Sequence, residues 1–325
     1  MTKIIKDYSY PVIVDNKDDR EKIHELDEFF NLMKIEAENF QKNEKVLLNP
    51  KLVKVCDCPI CGDSNDNQLF VKWGFIYTEC RSCSHIYVKN RLRNYILLNL
   101  YSESDADSLN RKIQESEQRK KYWYKVYNKY LSYFRETNIN NDNILDVGSG
   151  NGLFLVHASE NSDYVTHAID FNEDNYNFLV DLVGKENYYF KQRIEEIDFG
   201  DKKFGLITFW GVLEHVTNPI EILQKCYEVL DEDGIVIFLI PNIYSRAFKI
   251  LGISTPTLSP RAHINFFTEK SFKKLCKQTN LKILEFFQEL PVIDLMYPYI
   301  DFNSDLIDDI LSKKESYYHV YIVGK

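Results

Sequence analysis

The sequence predicts an α/β protein: a doubly wound, seven-stranded, mostly parallel sheet, with an N-terminal four-cysteine ribbon and a helical linker. Three observations carry this. The stretch from Asn143 to Phe154, NILDVGSGNGLF, passes from short apolar residues through an acid and alternating glycines into an apolar helix start. From residue 144 onward, strand-type and helix-type runs alternate. Upstream, two C-x-x-C pairs, Cys58/Cys61 and Cys80/Cys83, enclose eighteen residues rich in β-type side chains. The chain divides accordingly into a helical extension (1–54), the ribbon (55–92), a helical linker or lid (93–138) and the sheet domain (139–325), with an insertion at 242–267.

The central stretch is a strand, a glycine-rich turn and a helix, the first half of a βαβ unit. Glycines at 148, 150 and 152 let the turn take positive φ and let a ligand approach the backbone. The helix start offers free N–H groups to an anion.

Composition sets bounds. A chain of 325 residues, 44% hydrophobic and 27% charged, holds one sizeable core plus a smaller module. A net charge of −9 argues against a nucleic-acid partner, though a basic patch can sit on an acidic protein. There is no apolar run long enough to span a membrane and no signal-peptide core. Seven cysteines without a secretion signal suit a reducing compartment, so a cytoplasmic protein is expected.

Taken in order, residues 10–14 are a short apolar run. Residues 18–45 are charged, with Ile23, Leu26, Phe29, Phe30, Met33, Ile35, Ala37 and Phe40 at roughly helical spacing. This is an amphipathic helix that docks on the rest of the chain. In the ribbon, each C-x-x-C turn aims two thiolates at one ion, and Cys58, Cys61, Cys80 and Cys83 complete a tetrahedron for Zn2+. Four protein ligands leave no open position, so the zinc is structural. Cys56 and His85 flank the cluster as substitute ligands, but the regular spacing favours the other four.

Residues 93–136 read as helix, and 120–134 are unusually aromatic. Most of these aromatics are expected to pack on the sheet; a lid over the glycine turn is the other reading. Strands follow at 144–147, 164–169, 188–190, 204–210, 234–240, 282–289 and 318–323. Helices are expected at 152–160, 172–183, 219–230 and 268–279. Cys226 and Cys276 fall in helical patterns as buried thiols.

A dinucleotide fold would show G-x-G-x-x-G, and a P-loop would show Lys-Ser/Thr; neither is present. The run D-V-G-S-G-N-G, Asp170 closing the second strand, GVLEHVTNP after the fourth and L-D-E-D-G-x₆-P at 230–241 resemble the class I S-adenosylmethionine-dependent methyltransferases. The resemblance covers about residues 140–325. It implies S-adenosyl-L-methionine as cofactor, held by Asp146, Gly148, Ser149, Gly150 and Gly152 at the methionine end. Asp170 would take the ribose hydroxyls; capping the next helix is its other reading. Phe171, Ile194 and Glu195 would meet the adenine, and Trp210 would be a further cofactor-binding residue.

Methyl transfer asks the protein to hold nucleophile and methyl at near-attack distance, with a base where the nucleophile bears a proton. Glu214 and His215, at the end of the fourth strand, and His263, in RAHINFFT, are the candidates. Some related ubiquinone-type enzymes place an acid three residues before this Glu-His pair to hold a divalent metal; Gly211 stands there, which counts against a catalytic metal. Arg246, Arg261 and Tyr244 share the 242–267 insertion, and two arginines there would suit a phosphate or carboxylate on the acceptor.

The ribbon, the linker and this core together resemble bacterial sugar and polysaccharide-pathway methyltransferases. The expected acceptor is therefore a small molecule, a sugar, sugar nucleotide or phosphorylated saccharide. Two other readings stay open: a zinc-ribbon RNA methyltransferase, and a non-catalytic cofactor-binding scaffold.

Overall fold

A computed structural model of the chain describes residues 8–12, 23–42, 45–114, 116–137, 139–160, 163–290 and 304–325. The predicted run at 10–14 and the helix start therefore lie partly outside the described residues. Helix α1 (Ile23–Glu38) buries Met33 and Ala37. A small hairpin, β1 (Gln41–Lys42) with β2 (Lys45–Leu48), leads to β3 (Val53–Val55).

The ribbon is a hairpin of β4 (Asp66–Lys72) and β5 (Phe75–Cys80), joined by a Trp73-Gly74 turn in which both residues have positive φ. Strand β6 (Ile86–Val88) pairs with β5, and β7 (Asn90–Leu92) pairs with β3. The linker is three helices rather than one: α2 (Asn94–Glu103), α3 (Asp105–Gln114) and α4 (Glu117–Glu136). The breaks fall at serines. Ser104 Oγ accepts from Asp107 N at 3.0 Å and Ser116 Oγ from Arg119 N at 3.4 Å, so each serine starts a new helix by capping it.

The sheet domain alternates as predicted. It runs β8 (Asn143–Val147), α5 (Leu153–Glu160), β9 (Val165–Asp170), α6 (Tyr176–Val183), β10 (Tyr188–Phe190), β11 (Phe204–Trp210), α7 (Pro219–Val229) and β12 (Leu230–Pro241). Then follow α8 (Arg246–Leu251), β13 (Asn265–Phe266), α9 (Glu269–Gln278), β14 (Lys282–Glu289), α10 (Ser304–Ser312) and β15 (Tyr318–Gly324). The strand order is β10-β9-β8-β11-β12-β15-β14, parallel except for β15, which is antiparallel to both neighbours. Helix α6 starts later than its periodicity implies. Asp170 and then Asn172 take the backbone N–H groups of Asn172 and Asp174, spending the first turn on side-chain bonds.

One face of the sheet carries α4, α5 and α6. There Tyr122, Tyr130, Leu131 and Phe134 pack against Phe154 and Leu179, so most of the linker aromatics belong to the core. The other face carries α7 and α9, with Cys226 and Cys276 buried. The ribbon shares that second core: Cys58, Ile60, Cys80 and Tyr87 join the cluster that holds Phe238 and Phe272. Strand β13 pairs with β6, completing a four-stranded sheet, β13-β6-β5-β4. The 242–267 segment is thus partly a strand of the ribbon sheet, and the ribbon is continuous with the sheet domain.

Strand β11 lies between β8 and β12 and passes close under the loop before β8. A Cβ built at Gly205 would meet the Asn141 carbonyl oxygen at 2.0 Å, a contact backbone cannot relieve. Gly205→Ala should therefore lower unfolding free energy by about 3 kcal/mol, the upper part of the overpacking range, as read by urea denaturation.

Candidate functional site

The carboxyl ends of β8, β9 and β11 open onto one cleft, where open α/β sheets bind ligands. The glycine turn forms its floor. Gly148 N and Ser149 N both donate to the Ile169 carbonyl, at 2.8 and 3.0 Å, locking the turn to β9. Gly148 has φ of +74°, and a Cβ there would meet Val212 Cγ2 at 2.6 Å, so only glycine fits. Asp146 is buried beneath and accepts from Thr208 Oγ1 at 2.6 Å; burial pushes its carboxyl up to about 7. Asp170 accepts from Gly150 N and Asn172 N, each at 2.7 Å. It caps the turn, not α6, and burial raises its pKa.

A cavity of about 400 Å³ lies beyond Asp170, lined by Phe171, Ile194 and Glu195 and by Val147 and Gly148. A second of about 440 Å³ lies on the other side of Gly148, bordered by Asp146, Ser149, Gly150 and Trp210. Gly148, Gly211 and His215 line both, so the two form one cleft. Gly152, assigned to the cofactor from its spacing, lines neither; it faces Phe178 and Leu179 of α6, and its role is packing. Trp210 is wedged among Tyr127, Tyr130 and Phe154, and its indole Nε1 has no hydrogen-bond partner among the described residues.

The far end of the second cavity holds the acid-base candidates. The 3-10 turn after β11 carries Glu214 and His215. The Glu214 carbonyl accepts from Ile264 N at 2.8 Å, which brings His263 alongside. The His215 and His263 rings meet edge to face, centroids 4.5 Å apart. His263 Nδ1 is 2.8 Å from the Thr257 carbonyl, so Nδ1–H donates and Nε2 keeps its lone pair. Burial pushes His215 down to about 4 and His263 well below its ordinary value, so both imidazoles are neutral near pH 7. Glu214 is 2% exposed, its Oε2 has no partner among the described residues, and burial pushes it up to about 8. One ligand atom from each of the three lies within 4.8 Å of the others, a grouping that could hold a divalent cation.

Several residues of the site carry no local sequence signal. Asp107, Asn110 and Arg111 of α3 roof both cavities, and Arg111 pairs with Asp174 across the rim at 3.1 Å. Phe29 and Phe30 of α1, Arg119 and Trp123 of α4, and Tyr318 of β15 wall the second cavity. The roof is α3 with α1; α4 contributes only its first turns. The insertion arginines serve otherwise than their spacing suggested. Arg246 pairs with Glu315 and Asp309, each at 2.6 Å, away from the cleft, and Tyr244 is exposed. Arg261, 1% exposed, pairs with Asp107 at 2.8 Å and lies 3.3 Å from Glu36, clasping the roof.

The four ribbon cysteines converge. Cys58 Sγ lies 3.4 Å from Cys83 Sγ, and Cys61 Sγ lies 3.4 Å from Cys80 Sγ and 3.6 Å from Cys83 Sγ. These separations are far beyond a disulfide bond and near the edge, about 3.8 Å, of a tetrahedron with Zn–S of about 2.3 Å. Cys56 instead turns toward the Val88 and Lys89 carbonyls, and His85 toward Asn265.

A sheet of this order, with an acidic glycine turn after its first strand and an acid closing its second, defines the class I S-adenosylmethionine-dependent methyltransferase domain. The chain belongs to the methyltransferase-domain family, whose model matches residues 116–285. A tRNA U34 carboxymethyltransferase of Sulfurimonas denitrificans is 27% identical over 135 residues, 41% of this chain and 43% of the relative. A ubiquinone biosynthesis O-methyltransferase of Glaesserella parasuis is 28% identical over 160 residues, 44% of this chain and 66% of the relative. The chain spans about half the length of the curated relatives it matches. Among solved structures, the plantazolicin methyltransferase BpumL is 14% identical with a TM-score of 0.50, covering 71% of this chain and 95% of that one, a likeness of fold.

Glu214 supplies a test of the site's electrostatics. Its folded pKa lies above the unfolded value, so the cofactor-free protein loses stability as pH rises from about 4.5 toward 8. Glu214→Gln should be more stable than the parent by a few kcal/mol at pH 8, with the gain gone by pH 4, in melting curves across that range.

Proposed function

We propose that the chain is an S-adenosylmethionine-dependent methyltransferase that acts on a small molecule, a sugar or sugar-nucleotide hydroxyl or acidic carbon. The observation that carries this reading is the continuity of the cleft, from Asp170 past Gly148 to the Glu214–His215–His263 corner. The residues fit the cofactor. Gly148 presents bare backbone, Trp210 Nε1 and Glu214 Oε2 are buried polar atoms without partners among the described residues, and Asp170 keeps lone pairs for a ribose. When bound, the cofactor would supply a methyl carbon activated by sulfonium.

The remaining work falls to this chain. Burial pushes the carboxyls of Asp146 and Glu214 up; a cation in the cleft would favour their carboxylates. His263, anchored through Nδ1, would accept the acceptor's proton at Nε2, with His215 packed against it. Phe29, Phe30, Trp123 and Tyr318 would hold a ring-shaped acceptor and exclude water. A phosphoryl group on the acceptor would meet Arg111 or Arg119, which line the cleft. The ribbon cysteines would hold one structural Zn2+. A nucleic-acid acceptor is the second reading, because two of the curated relatives are tRNA enzymes.

Calorimetry with S-adenosylhomocysteine should show one site, weakened at least about tenfold in Asp170→Ala, the loss of charge-assisted bonds to ribose. No binding at millimolar ligand would end the enzyme reading. Metal analysis should return one zinc per chain. Binding to RNA with a steep inverse dependence on salt would favour the second reading over the first.

A further inference from the structure

No residue of 55–92 lines either cavity, yet the ribbon reaches the acid-base corner through a buried polar chain. Asn265, 1% exposed, sits on β13 between them. Its Nδ2 donates to the Val216 carbonyl at 2.6 Å, and its Oδ1 lies 3.2 Å from His85 Nε2. With the amide nitrogen used as donor, the amide oxygen accepts, and His85 donates from Nε2. His85 is fully buried, and its carbonyl accepts from Cys80 N at 2.9 Å, so its backbone is fixed to the second cysteine knuckle.

The backbone repeats the connection. Val88 N donates to the Ile264 carbonyl at 3.0 Å, while Ile264 N donates to the Glu214 carbonyl at 2.8 Å. Arg91 Nη1 reaches the Thr217 carbonyl at 3.3 Å. The turn that carries Glu214 and His215 is therefore tied to the ribbon on one side and to the His263 segment on the other. Of these ties, the Asn265 amide alone joins the ribbon, β13 and the His215 turn through one side chain.

We infer that Asn265 and His85 are positioning residues, through which the four-cysteine ribbon acts as an abutment that sets the geometry of Glu214, His215 and His263. The physical reason is reach. A 3-10 turn at a strand end has few bonds of its own, and proton transfer needs its groups held within about 0.5 Å. A buried amide with both ends bonded gives the Val216 carbonyl one partner and no water to exchange with. A cysteine cluster with no open coordination position gives the other end a rigid anchor. The inference rests on the proposed reading of this corner as the proton-handling end of the cleft.

The test uses the full chain, ¹⁵N-labelled at histidine and saturated with S-adenosylhomocysteine. The imidazole spectra of His215 and His263 are recorded for Asn265→Leu, which removes both bonds, and Asn265→Asp, which keeps the acceptor for His85 but loses the donor to Val216. Both variants should shift the His215 and His263 cross-peaks, while the folded proteins still bind S-adenosylhomocysteine, because the partners of Asp170 are Gly150 N and Asn172 N and not the Val216 turn. His85→Gln, whose amide can donate to Asn265, should restore the parent spectrum that His85→Ala loses. Unshifted His215 and His263 cross-peaks in folded Asn265→Asp and His85→Ala proteins would overturn the inference. If Asn265→Leu does not fold, those two variants decide. Failure of the parent to bind S-adenosylhomocysteine would overturn the cofactor reading instead, and the spectra without ligand would still report on the bridge.

Discussion

The two residues of β13 hold the molecule together more than their length suggests. Their pairing with β6 makes one body of the ribbon and the large sheet, and Asn265 fills the gap beside it. Without that pairing the ribbon sheet would be the three strands β6-β5-β4. With it, Cys58, Ile60 and Cys80 are part of the apolar cluster that also buries Phe238 and Phe272. Burial on the sheet face excludes water from the knuckles, and on the proposed reading ligation of a Zn2+ by the four thiolates would fix their shape.

The same joint explains the division of labour in the cleft. The cofactor end is built from one contiguous segment and its two neighbouring strands, stiff because Gly148 and Ser149 are bonded to β9. The second cavity, which the proposed reading gives to the acceptor, is assembled from separate parts of the chain: α1, α3, the start of α4, the 256–263 segment and β15. Neutral imidazoles and a buried carboxyl in one corner cost free energy to assemble, and the sheet and ribbon provide the rigidity to keep them there.

This division also decides what the sequence made legible. Strand and helix alternation, the glycine turn and the cysteine spacing are local patterns, and the seven-stranded, mostly parallel sheet and the converging cysteines follow from them. The acceptor end has no local pattern. Phe29, Asp107, Arg119 and Tyr318 are close only after folding, and single residues on helices of ordinary amphipathicity announce nothing. Alternate glycines look alike in sequence, although Gly148 and Gly150 line the cleft and Gly152 does not. Arg246 and Arg261 were misread because an arginine's partner is invisible until Glu315, Asp309, Asp107 and Glu36 are placed in space. The breaks at Ser104 and Ser116 were written in the sequence as cap residues, but the surrounding helix-favouring composition outweighed them.

The clasp of Arg261 on Asp107 and Glu36 has a bearing on synthesis. Glu36 and Asp107 belong to the roof, and both leave the ribosome long before Arg261 does. The roof can form its helices early, since those contacts are local, yet it has no cation to settle on until most of the sheet has been made. In the folded protein Glu36 also accepts from Ser104 Oγ and Ala106 N, at 2.8 and 3.0 Å, which ties α1 to α3. A chain that ends before residue 261 would therefore lack the cation that latches the roof.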